Sequence, residues 1–279
     1  MNGSGLTPFV KWAGGKKQLL DKIWERTPNE YGTFYEPFIG GGAVFLNAKP
    51  QNGVINDINK ELINVYRQLK NDPIPVIKAV NELDKNGGDK EYYYKLRDRY
   101  NEKISKKELD VECAALLIWI NKHCFNGLYR VNSKGLFNVP YNNKTTGKSI
   151  DEDNLMNIGY YLKEADIDIR CEDFEKVCKN VKAGDFVYLD SPYLPVSETA
   201  QFTDYTKDGF TMEDHIRLSE LFEELDKRGA MVMLSNHDVK LAHKLYGDYN
   251  IESIDVRRSI NSNAKKRTGK EVIITNYNI

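Results

Sequence analysis

The sequence has few cysteines and no long apolar segment. Only four of its 279 residues are cysteine, and no two of them form a C-x-x-C pair. A chain of this length buries a sufficient core without disulfides, so we predict free thiols in a reducing compartment. The longest uninterrupted apolar run, 113–120, has eight residues, far below the roughly 20 that a membrane helix requires. The first residues also lack a basic region followed by an apolar one, which predicts a cytoplasmic protein.

Several motifs of common ligand sites are also absent. The four histidines show neither H-x-x-x-H nor H-E-x-x-H spacing, so we predict no metal site. Neither G-x-G-x-x-G nor G-x-x-x-x-G-K-[ST] occurs, which argues against a dinucleotide fingerprint and a P-loop. With 41% hydrophobic and 29% charged residues, the composition is that of a globular protein, and it excludes disordered and collagen-like classes.

Acidic residues are missing from three stretches, although the net charge of the whole chain is only −1. Residues 1–20 carry +3, residues 113–150 carry +5 and residues 256–270 carry +6, so the rest of the chain carries −15. Clustered basic charge of this kind is typical of a nucleic-acid interface. The alternative is an ordinary solvated surface, but three separate stretches agree. We therefore predict a nucleic-acid-binding face that is basic and an opposite face that is acidic.

Short β-rich runs alternate with helical patterns on both sides of a long central segment. The predicted strands are 33–36, 53–56, 166–171, 185–189, 230–235, 249–255 and 271–276. The predicted helices are 16–26, 44–48, 174–180, 212–227 and 239–245. This alternation is typical of βαβ units. We therefore predict an α/β protein with a Rossmann-like, doubly wound, mainly parallel sheet that is covered on both faces.

Residues 59–157 interrupt this alternation. They contain four helical patterns, ELINVYRQLK, PVIKAVNELD, KEYYYKLRDRY and VECAALLIWINKH, and a long polar and aromatic loop. Prolines at the start of the second pattern and two glycines after it mark its ends. The segment predicts a helical domain inserted between residues 1–58 and 158–279, which together form the α/β domain.

Two glycine-containing motifs lie near the N-terminus. In FYEPFIGGGA (34–43) a strand runs into glycines that permit close approach of the backbone to a ligand. Asp57 ends the next strand twenty-one residues after Glu36, where a carboxylate can hold the ribose hydroxyls of an adenosine ligand. In KWAGGK (11–16), Trp12 has the shape to cover a flat ligand. A structural turn and a core tryptophan are the respective alternatives.

The tetrapeptide Asp190-Ser191-Pro192-Tyr193 directly follows the predicted strand DFVYL. A carboxylate at this point lies on the ligand-binding edge of an open α/β sheet. Pro192 restricts Ser191 to extended backbone geometry, which fixes the direction of the Ser191 carbonyl. The carboxylate and the carbonyl form two acceptors for one planar amine, and Tyr193 can stack on its ring. The alternative is a simple turn after a strand.

The order of KWAGGK, EPFIGGG, IND, EDF and DSPY resembles that of the Dam-like adenine-N6 DNA methyltransferases (D12 class, alpha group). FNGLYRVN (125–132), FNVPY (137–141) and SNHD (235–238) extend the resemblance nearly from end to end. Among that family, the GATC-modifying methyltransferases of Gram-positive restriction systems are the most similar. The resemblance implies an S-adenosylmethionine-dependent methyltransferase fold in which residues 59–157 recognise the target. It also implies methylation of adenine N6 in duplex DNA, within GATC, by a protein that acts as a monomer.

The resemblance further implies the residues of the cofactor and catalytic sites. S-adenosyl-L-methionine, which leaves as S-adenosyl-L-homocysteine, is expected to contact Trp12, Lys16, Glu36, Pro37, Phe38, Gly40, Asp57, Ile58, Asp173, Phe174 and Asp190. The catalytic set is Asp190, Ser191, Pro192 and Tyr193, with Tyr193 stacked on a flipped adenine and no metal. The family has proline where this chain has Ser191. Because that position acts through its carbonyl, we predict an active enzyme that is slower than its Ser191→Pro variant.

By the same resemblance, the target is read by residues from two segments. Arg130 and Lys11 each read one guanine, and Leu128, Asn138 and Pro140 lie against bases. Phe125 wedges beside the flipped base, and Asn126 and Asn132 contact the backbone. Lys134, Lys144 and Lys148 bind phosphates, as do Arg257, Arg258, Lys266 and Arg267 on the other flank. Two alternatives stay open, namely a DNA-binding protein without catalysis and a methyltransferase acting on RNA or a glutamine side chain.

Overall fold

The computed structural model describes residues 5–16, 18–144, 147–196, 209–257 and 268–278, apart from the side chains of Arg257 and Thr268. Arg258, Lys266 and Arg267, for which we predict phosphate contacts, lie outside the described residues, as does the side chain of Arg257. Within the described ranges, no helix is both long enough and apolar enough to cross a membrane.

The described residues form strands and helices in an alternating order, with a helical segment in between. The strands are β1 (Phe34–Glu36), β2 (Asn52–Asn56), β3 (Asp166–Arg170), β4 (Phe186–Leu189), β5 (Met231–His237), β6 (Asn250–Arg257) and β7 (Thr268–Thr275). The helices are α1 (Leu20–Trp24), α2 (Ala43–Ala48), α3 (Lys60–Asn71), α4 (Pro73–Lys85), α5 (Lys90–Lys106), α6 (Val111–His123), α7 (Glu152–Glu164), α8 (Phe174–Cys178), α9 (Met212–Lys227) and α10 (Lys240–Leu245).

The strands form one sheet in the order β3-β2-β1-β4-β5-β7-β6. Strand β1 runs parallel to β2 and β4, and β4 runs parallel to β5. Strand β7 runs in the opposite direction to β5 and β6, because it pairs antiparallel with both. The predicted α/β class with a mainly parallel sheet is therefore confirmed.

By internal contacts the chain divides into two compact units. The first contains Met1–Gly15, Ile39–Gln51 and Asn56–Cys171, and the second contains Lys16–Phe38, Asn52–Ile55 and Glu172–Ile279. Each is described below by itself.

The first unit is mainly helical, and its helices start at residues that favour a helix N-terminus. The side chains that cap α3 to α7 each accept a backbone N–H of the first turn, and they belong to Asn59, Asp72, Asp89, Asp110 and Asp151. Such caps satisfy donors that have no partner within the helix. Helix α6 is buried all round over 113–120, which explains its uninterrupted apolar sequence. It packs against α3, α4 and α5.

The four helices predicted for the central segment do not include α7. That part of the prediction is wrong, because the structure has a further helix there. Its signals are present in the sequence. Asp151 caps it, and Leu155, Ile158 and Leu162 recur at helical spacing and are buried. The polar loop that precedes α7 carries no helical pattern, which leaves these buried positions as a short signal at its end.

The second unit has a core between its strands and α9. Alternate residues of β4 and β5 point into it, namely Val187 and Leu189, and Val232 and Leu234. Such alternation places one side of each strand against a helix. Four apolar residues of α9 fill the same core, Leu218, Leu221, Phe222 and Leu225. The core thereby fixes the carboxyl end of β4, where the predicted catalytic tetrapeptide begins.

Candidate functional site

The tetrapeptide 190–193 begins immediately after β4, in the second unit. Asp190 forms an ion pair with Lys16, whose Nζ lies 2.6 Å from Asp190 Oδ1. The lysine side chain is only 4% exposed and the aspartate side chain 19%. Burial raises the pKa of the Asp190 carboxyl, and the adjacent Lys16 charge opposes that rise. The Lys16 charge therefore favours the ionised carboxylate, whereas burial favours the protonated form.

Tyr193 is held by three different groups. Its hydroxyl donates a hydrogen bond to Glu271 at 2.9 Å, its ring lies 4.8 Å from Lys16 Nζ, and its ring meets that of His237 edge to face at 4.8 Å. Burial raises the pKa of the Tyr193 hydroxyl well above its usual value, and the negative charge of Asp190 adds to the effect. The side chain is therefore a neutral, fixed ring beside Asp190.

The segment after Tyr193 is supported by the end of β5. The Asn236 side-chain oxygen accepts the backbone N–H of Leu194 and that of His237, each at 2.8 Å. The His237 Nδ1 lies 2.8 Å from the Leu194 carbonyl. Ser191 is 2% exposed, and its hydroxyl donates to the Pro192 carbonyl at 3.3 Å. These bonds fix the backbone on both sides of Pro192.

Aromatic rings and an arginine surround Asp173 in the same unit. The rings of Phe38, Phe174 and Phe210 lie within 5.4–5.9 Å of one another. Asp173 caps α8, and both of its oxygens lie 3.0 Å from a guanidinium nitrogen of Arg217. The guanidinium also lies 4.8 Å from the Phe174 ring. Asp173 and Phe174, both predicted as cofactor contacts, are thereby oriented by one residue of α9.

Glu36 and Pro37 lie at the carboxyl end of β1. Both are buried, with Glu36 at 2% exposure. Strands β1 and β4 are parallel neighbours, so Glu36 and Asp190 end adjacent strands at the same edge. The carboxyl edge is where open α/β sheets bind ligands.

In the first unit, the glycine-rich turn is built around Asp57. One oxygen of Asp57 accepts the Gly40 N–H at 3.1 Å and the other accepts the Asn59 N–H at 2.9 Å. Burial raises the pKa of the Asp57 carboxyl, and these two backbone bonds oppose the rise. Gly40 has a φ of +48°, and a Cβ there would lie 2.8 Å from Trp12 Cδ1. Glycine at this position therefore lets Trp12 lie directly on the turn.

Ile58, which follows Asp57, is apolar yet 76% exposed. A single exposed aliphatic side chain is ordinary on a protein surface. It follows a buried carboxylate beside the glycine turn, and its contact with a cofactor stays a prediction.

The predicted DNA-contacting residues lie mostly on one loop of the first unit, residues 124–144, here called the 124–144 loop. A bridge between Cys124 and Tyr141 and a bond from the Phe125 N–H to the Pro140 carbonyl at 2.8 Å close its base. Phe125 and Leu128 are 50% and 38% exposed, although they are apolar. The loop therefore presents apolar side chains to solvent while its backbone is fixed.

Polar side chains of the 124–144 loop form hydrogen bonds with other residues of the same loop. Arg130 Nε donates to Asn138 Oδ1 at 2.7 Å, so the two predicted base-contacting residues are neighbours. The Asn132 side chain accepts the backbone N–H groups of Lys134 and Leu136, at 2.9 and 3.1 Å. The other predicted members of the loop, Asn126, Pro140 and Lys144, are exposed.

Three predicted positions have partners that the sequence did not suggest. Lys148 forms an ion pair with Glu152 at 3.0 Å, which competes with a phosphate for its charge. Arg217 and Glu271, which orient Asp173 and Tyr193, were missed, because they lie 44 and 78 residues away in sequence from the groups they hold. Among the described residues, no group of three or more His, Cys, Asp or Glu side chains is placed to hold a metal ion.

Comparisons with known proteins agree on one family. Residues 12–260 match the family model of the D12 class N6 adenine-specific DNA methyltransferases. The chain is 46% identical to the Type II methyltransferase M1.LlaDCHI of Lactococcus lactis subsp. cremoris, over 99% of this chain and 97% of that one. It is 43% identical to the Type II methyltransferase M.MjaIII of Methanocaldococcus jannaschii, over 97% and 99%. It is 34% identical to the DNA adenine methylase of Escherichia coli K12, over 96% and 94%.

Proposed function

Because this chain belongs to the D12 class of N6 adenine-specific DNA methyltransferases, we propose that it methylates adenine N6 within GATC in duplex DNA. The methyl donor is S-adenosyl-L-methionine, and the adenine is flipped out of the duplex. The observation that carries this proposal is the Lys16–Asp190 pair beside Tyr193. It provides a carboxyl acceptor and an oriented ring at one sheet edge.

In the first unit, the described residues around Asp57 fit an adenosine-containing cofactor. Each oxygen of Asp57 accepts one backbone bond, and a carboxylate oxygen has a further lone pair for a ribose hydroxyl. Ile58 and Trp12 add apolar surface beside it. We propose that Trp12, Gly40, Asp57 and Ile58 of the first unit contact the cofactor. The contacts proposed for the second unit are Lys16, Glu36, Pro37, Phe38, Asp173, Phe174 and Asp190.

When bound, S-adenosyl-L-methionine supplies a methyl group on a positively charged sulfur. The residues of this chain prepare the accepting nitrogen. An adenine amine is a poor nucleophile because its lone pair is delocalised into the ring. The Asp190 carboxylate and the Ser191 carbonyl accept the two N–H groups of this amine, which favours a tetrahedral nitrogen whose lone pair is available. Alignment and electrostatics therefore supply the rate enhancement.

The amine must leave the duplex before it can reach Asp190. Enzymes that modify a base inside a duplex extrude the nucleotide into a pocket and stack it on an aromatic side chain. Tyr193 is suited to this role, because its hydroxyl bond to Glu271 and its contact with His237 hold the ring in one orientation. Pro192 restricts the backbone between the two acceptors and this ring.

Residues 59–157 are proposed as the target-recognition domain, between the cofactor-binding part (1–58) and the catalytic part (158–279). Arg130 and Lys11 read the two guanines, and Asn138, Leu128 and Pro140 contact bases. Phe125 fills the space beside the flipped base, and its exposure of 50% makes it available for that contact. Asn126 and Asn132 contact the backbone.

Lys134 and Lys144 are exposed on the 124–144 loop and are proposed to bind phosphates. Such contacts give affinity and salt dependence without sequence information. We propose that the protein acts as a monomer on double-stranded DNA in the cytoplasm, associated with the nucleoid.

The proposed function is tested with tritiated cofactor and duplexes that differ only at one GATC. We expect label in the GATC duplex and protection from a nuclease that N6-methyladenine blocks. Label that is independent of GATC would contradict the proposed specificity. Label in RNA or protein alone, or in no substrate, would contradict the proposed DNA methylation.

A further inference from the structure

The side chain of Asn121 holds the N-terminal motif and the 124–144 loop together within the first unit. Asn121 lies near the end of α6 and is 2% exposed. Its Oδ1 accepts the backbone N–H of Lys11 at 2.8 Å, and its Nδ2 donates to the Lys11 carbonyl at 2.9 Å. The same Nδ2 donates to the Gly127 carbonyl at 3.0 Å. One amide therefore satisfies both backbone groups of Lys11 and one carbonyl of the loop.

Two further contacts join the same segments. Gly127 has a φ of +66°, and a Cβ there would lie 2.6 Å from both Cβ and Cδ of Lys11. The stem of Lys11 is thus packed directly on the glycine. One residue further on, the Trp12 ring stacks on Tyr129 of the loop, with centroids 5.1 Å apart and an angle of 28°. Successive residues of the N-terminal motif, Lys11 and Trp12, therefore pack against successive parts of the loop, Gly127 and Tyr129.

We propose that Asn121 is a positioning residue for sequence recognition, because its hydrogen bonds fix the backbone of Lys11 relative to the loop that carries Arg130. This inference rests on the proposed reading of one guanine by Lys11. The Lys11 side chain is exposed, and a lysine ammonium on its flexible stem discriminates between bases only when its backbone is fixed. Asn121 touches no base itself. It supplies that fixed backbone, and Gly127 supplies the space for the stem.

The chain provides a matched control on the same N-terminal segment. Asn154 holds Thr7 in the same manner, accepting its N–H at 3.0 Å and donating to its carbonyl at 2.9 Å. Neither of these bonds involves the 124–144 loop. Asn154→Ala therefore removes an equivalent pair of backbone bonds, and we expect it to leave base discrimination unchanged.

The test measures single-turnover methylation of GATC and of duplexes substituted at either the first or the last base pair. We expect Lys11→Ala to lower discrimination at one of these pairs about ten-fold, and Asn121→Ala to lower it at that pair about five-fold. Discrimination at the pair read by Arg130 stays as in the wild type. Because Asn121 acts through Lys11, the Lys11→Ala, Asn121→Ala double variant matches Lys11→Ala alone.

Each other outcome overturns the inference. Equal losses at both pairs, a double variant with additive losses, or an Asn121→Ala variant that behaves like Asn154→Ala all contradict positioning through Lys11, as does a Lys11→Ala variant without effect. If Asn121→Ala does not fold by thermal denaturation, Gly127→Ala displaces the Lys11 stem and must show the same selective loss. A wild-type protein without GATC preference would instead contradict the proposed function itself.

Discussion

The tetrapeptide 190–193 and the 124–144 loop differ in how fully their side chains are held. Asp190 is ion-paired, Ser191 is 2% exposed and Tyr193 contacts three groups. In contrast, Phe125 and Leu128 are 50% and 38% exposed. A catalytic group gains from being oriented before its substrate binds, whereas a surface that reads DNA must stay accessible to base edges. The comparison predicts that changes to 190–193 mainly alter the rate of methyl transfer, whereas changes to the loop mainly alter which DNA sequence is methylated.

The largest expected effect is that of Asp190→Asn. The amide retains the size of the carboxylate but loses its charge, so we expect methyl transfer to fall by about 10²–10³-fold. Rapid-quench measurement of a single turnover checks this, with binding of S-adenosyl-L-homocysteine measured in parallel. Asp185→Asn is the matched control, because Asp185 is buried before β4 and accepts the backbone N–H groups of Thr33 and Lys182. A wild-type transfer rate in Asp190→Asn would contradict the proposed role of Asp190 as acceptor of the adenine amine.

The next prediction concerns pH. An ionised Asp190 accepts an N–H of the amine more strongly than a protonated one, so the transfer rate falls as the pH drops through the pKa of Asp190. Burial raises that pKa and Lys16 opposes the rise. Lys16→Met removes the opposing charge, raises the pKa further and moves the acidic limb of the rate profile to higher pH.

Transfer rates measured across pH test this shift. Lys22→Met is the control, since Lys22 pairs with Glu25 at 2.8 Å on the exposed side of α1. An acidic limb at the same pH in wild type and Lys16→Met would contradict the pairing as the source of the ionised carboxylate.

In the 124–144 loop, Arg130→Ala and Lys144→Ala should separate specificity from affinity. Arg130→Ala should cost about 1–3 kcal/mol and relax discrimination at one guanine. Lys144→Ala should weaken all duplexes alike and reduce the slope of log affinity against log salt by about one unit. Binding titrations at several salt concentrations check both. Uniform weakening by Arg130→Ala would contradict direct reading of a base.

The smallest effect is expected for Ser191→Pro. The position is proposed to act through its carbonyl, which proline retains, and the change removes the hydroxyl bond to Pro192 together with the backbone N–H of residue 191. We expect the variant to be faster than wild type by less than about ten-fold. Burst-phase turnover on a hemimethylated duplex checks this. Equal rates in wild type and Ser191→Pro would contradict the prediction that serine at this position slows methyl transfer.

The sequence predicted elements well where local signals agree. The bounds of α6 and α9 were predicted correctly, because each combines an N-cap with a long apolar pattern. Helix α1 is shorter than the predicted 16–26 and begins at Leu20. The side chain of Lys16, near the predicted start, forms an ion pair with Asp190. Local sequence patterns cannot predict a contact between residues so far apart in the chain.

The sequence named residues for the candidate site but did not indicate the side-chain contacts that hold them. The resemblance named Asp190, Tyr193, Asp173 and Lys16. Their partners come from distant strands and helices, such as Glu271 on β7, and hydrophobic periodicity carries no information about such pairs. Asn121 was missed for the same reason, because it lies in an apolar helix where an asparagine has no local signature.

The most direct test of the account is mass spectrometry of nucleosides and fragments from a duplex with one GATC. The protein, S-adenosyl-L-methionine and this duplex are incubated beside a duplex in which the adenine pair is replaced. We predict one N6-methyladenine per strand, located at the GATC adenine, and none in the replaced duplex. Methylation at another base or atom, or equal methylation of both duplexes, would contradict the account.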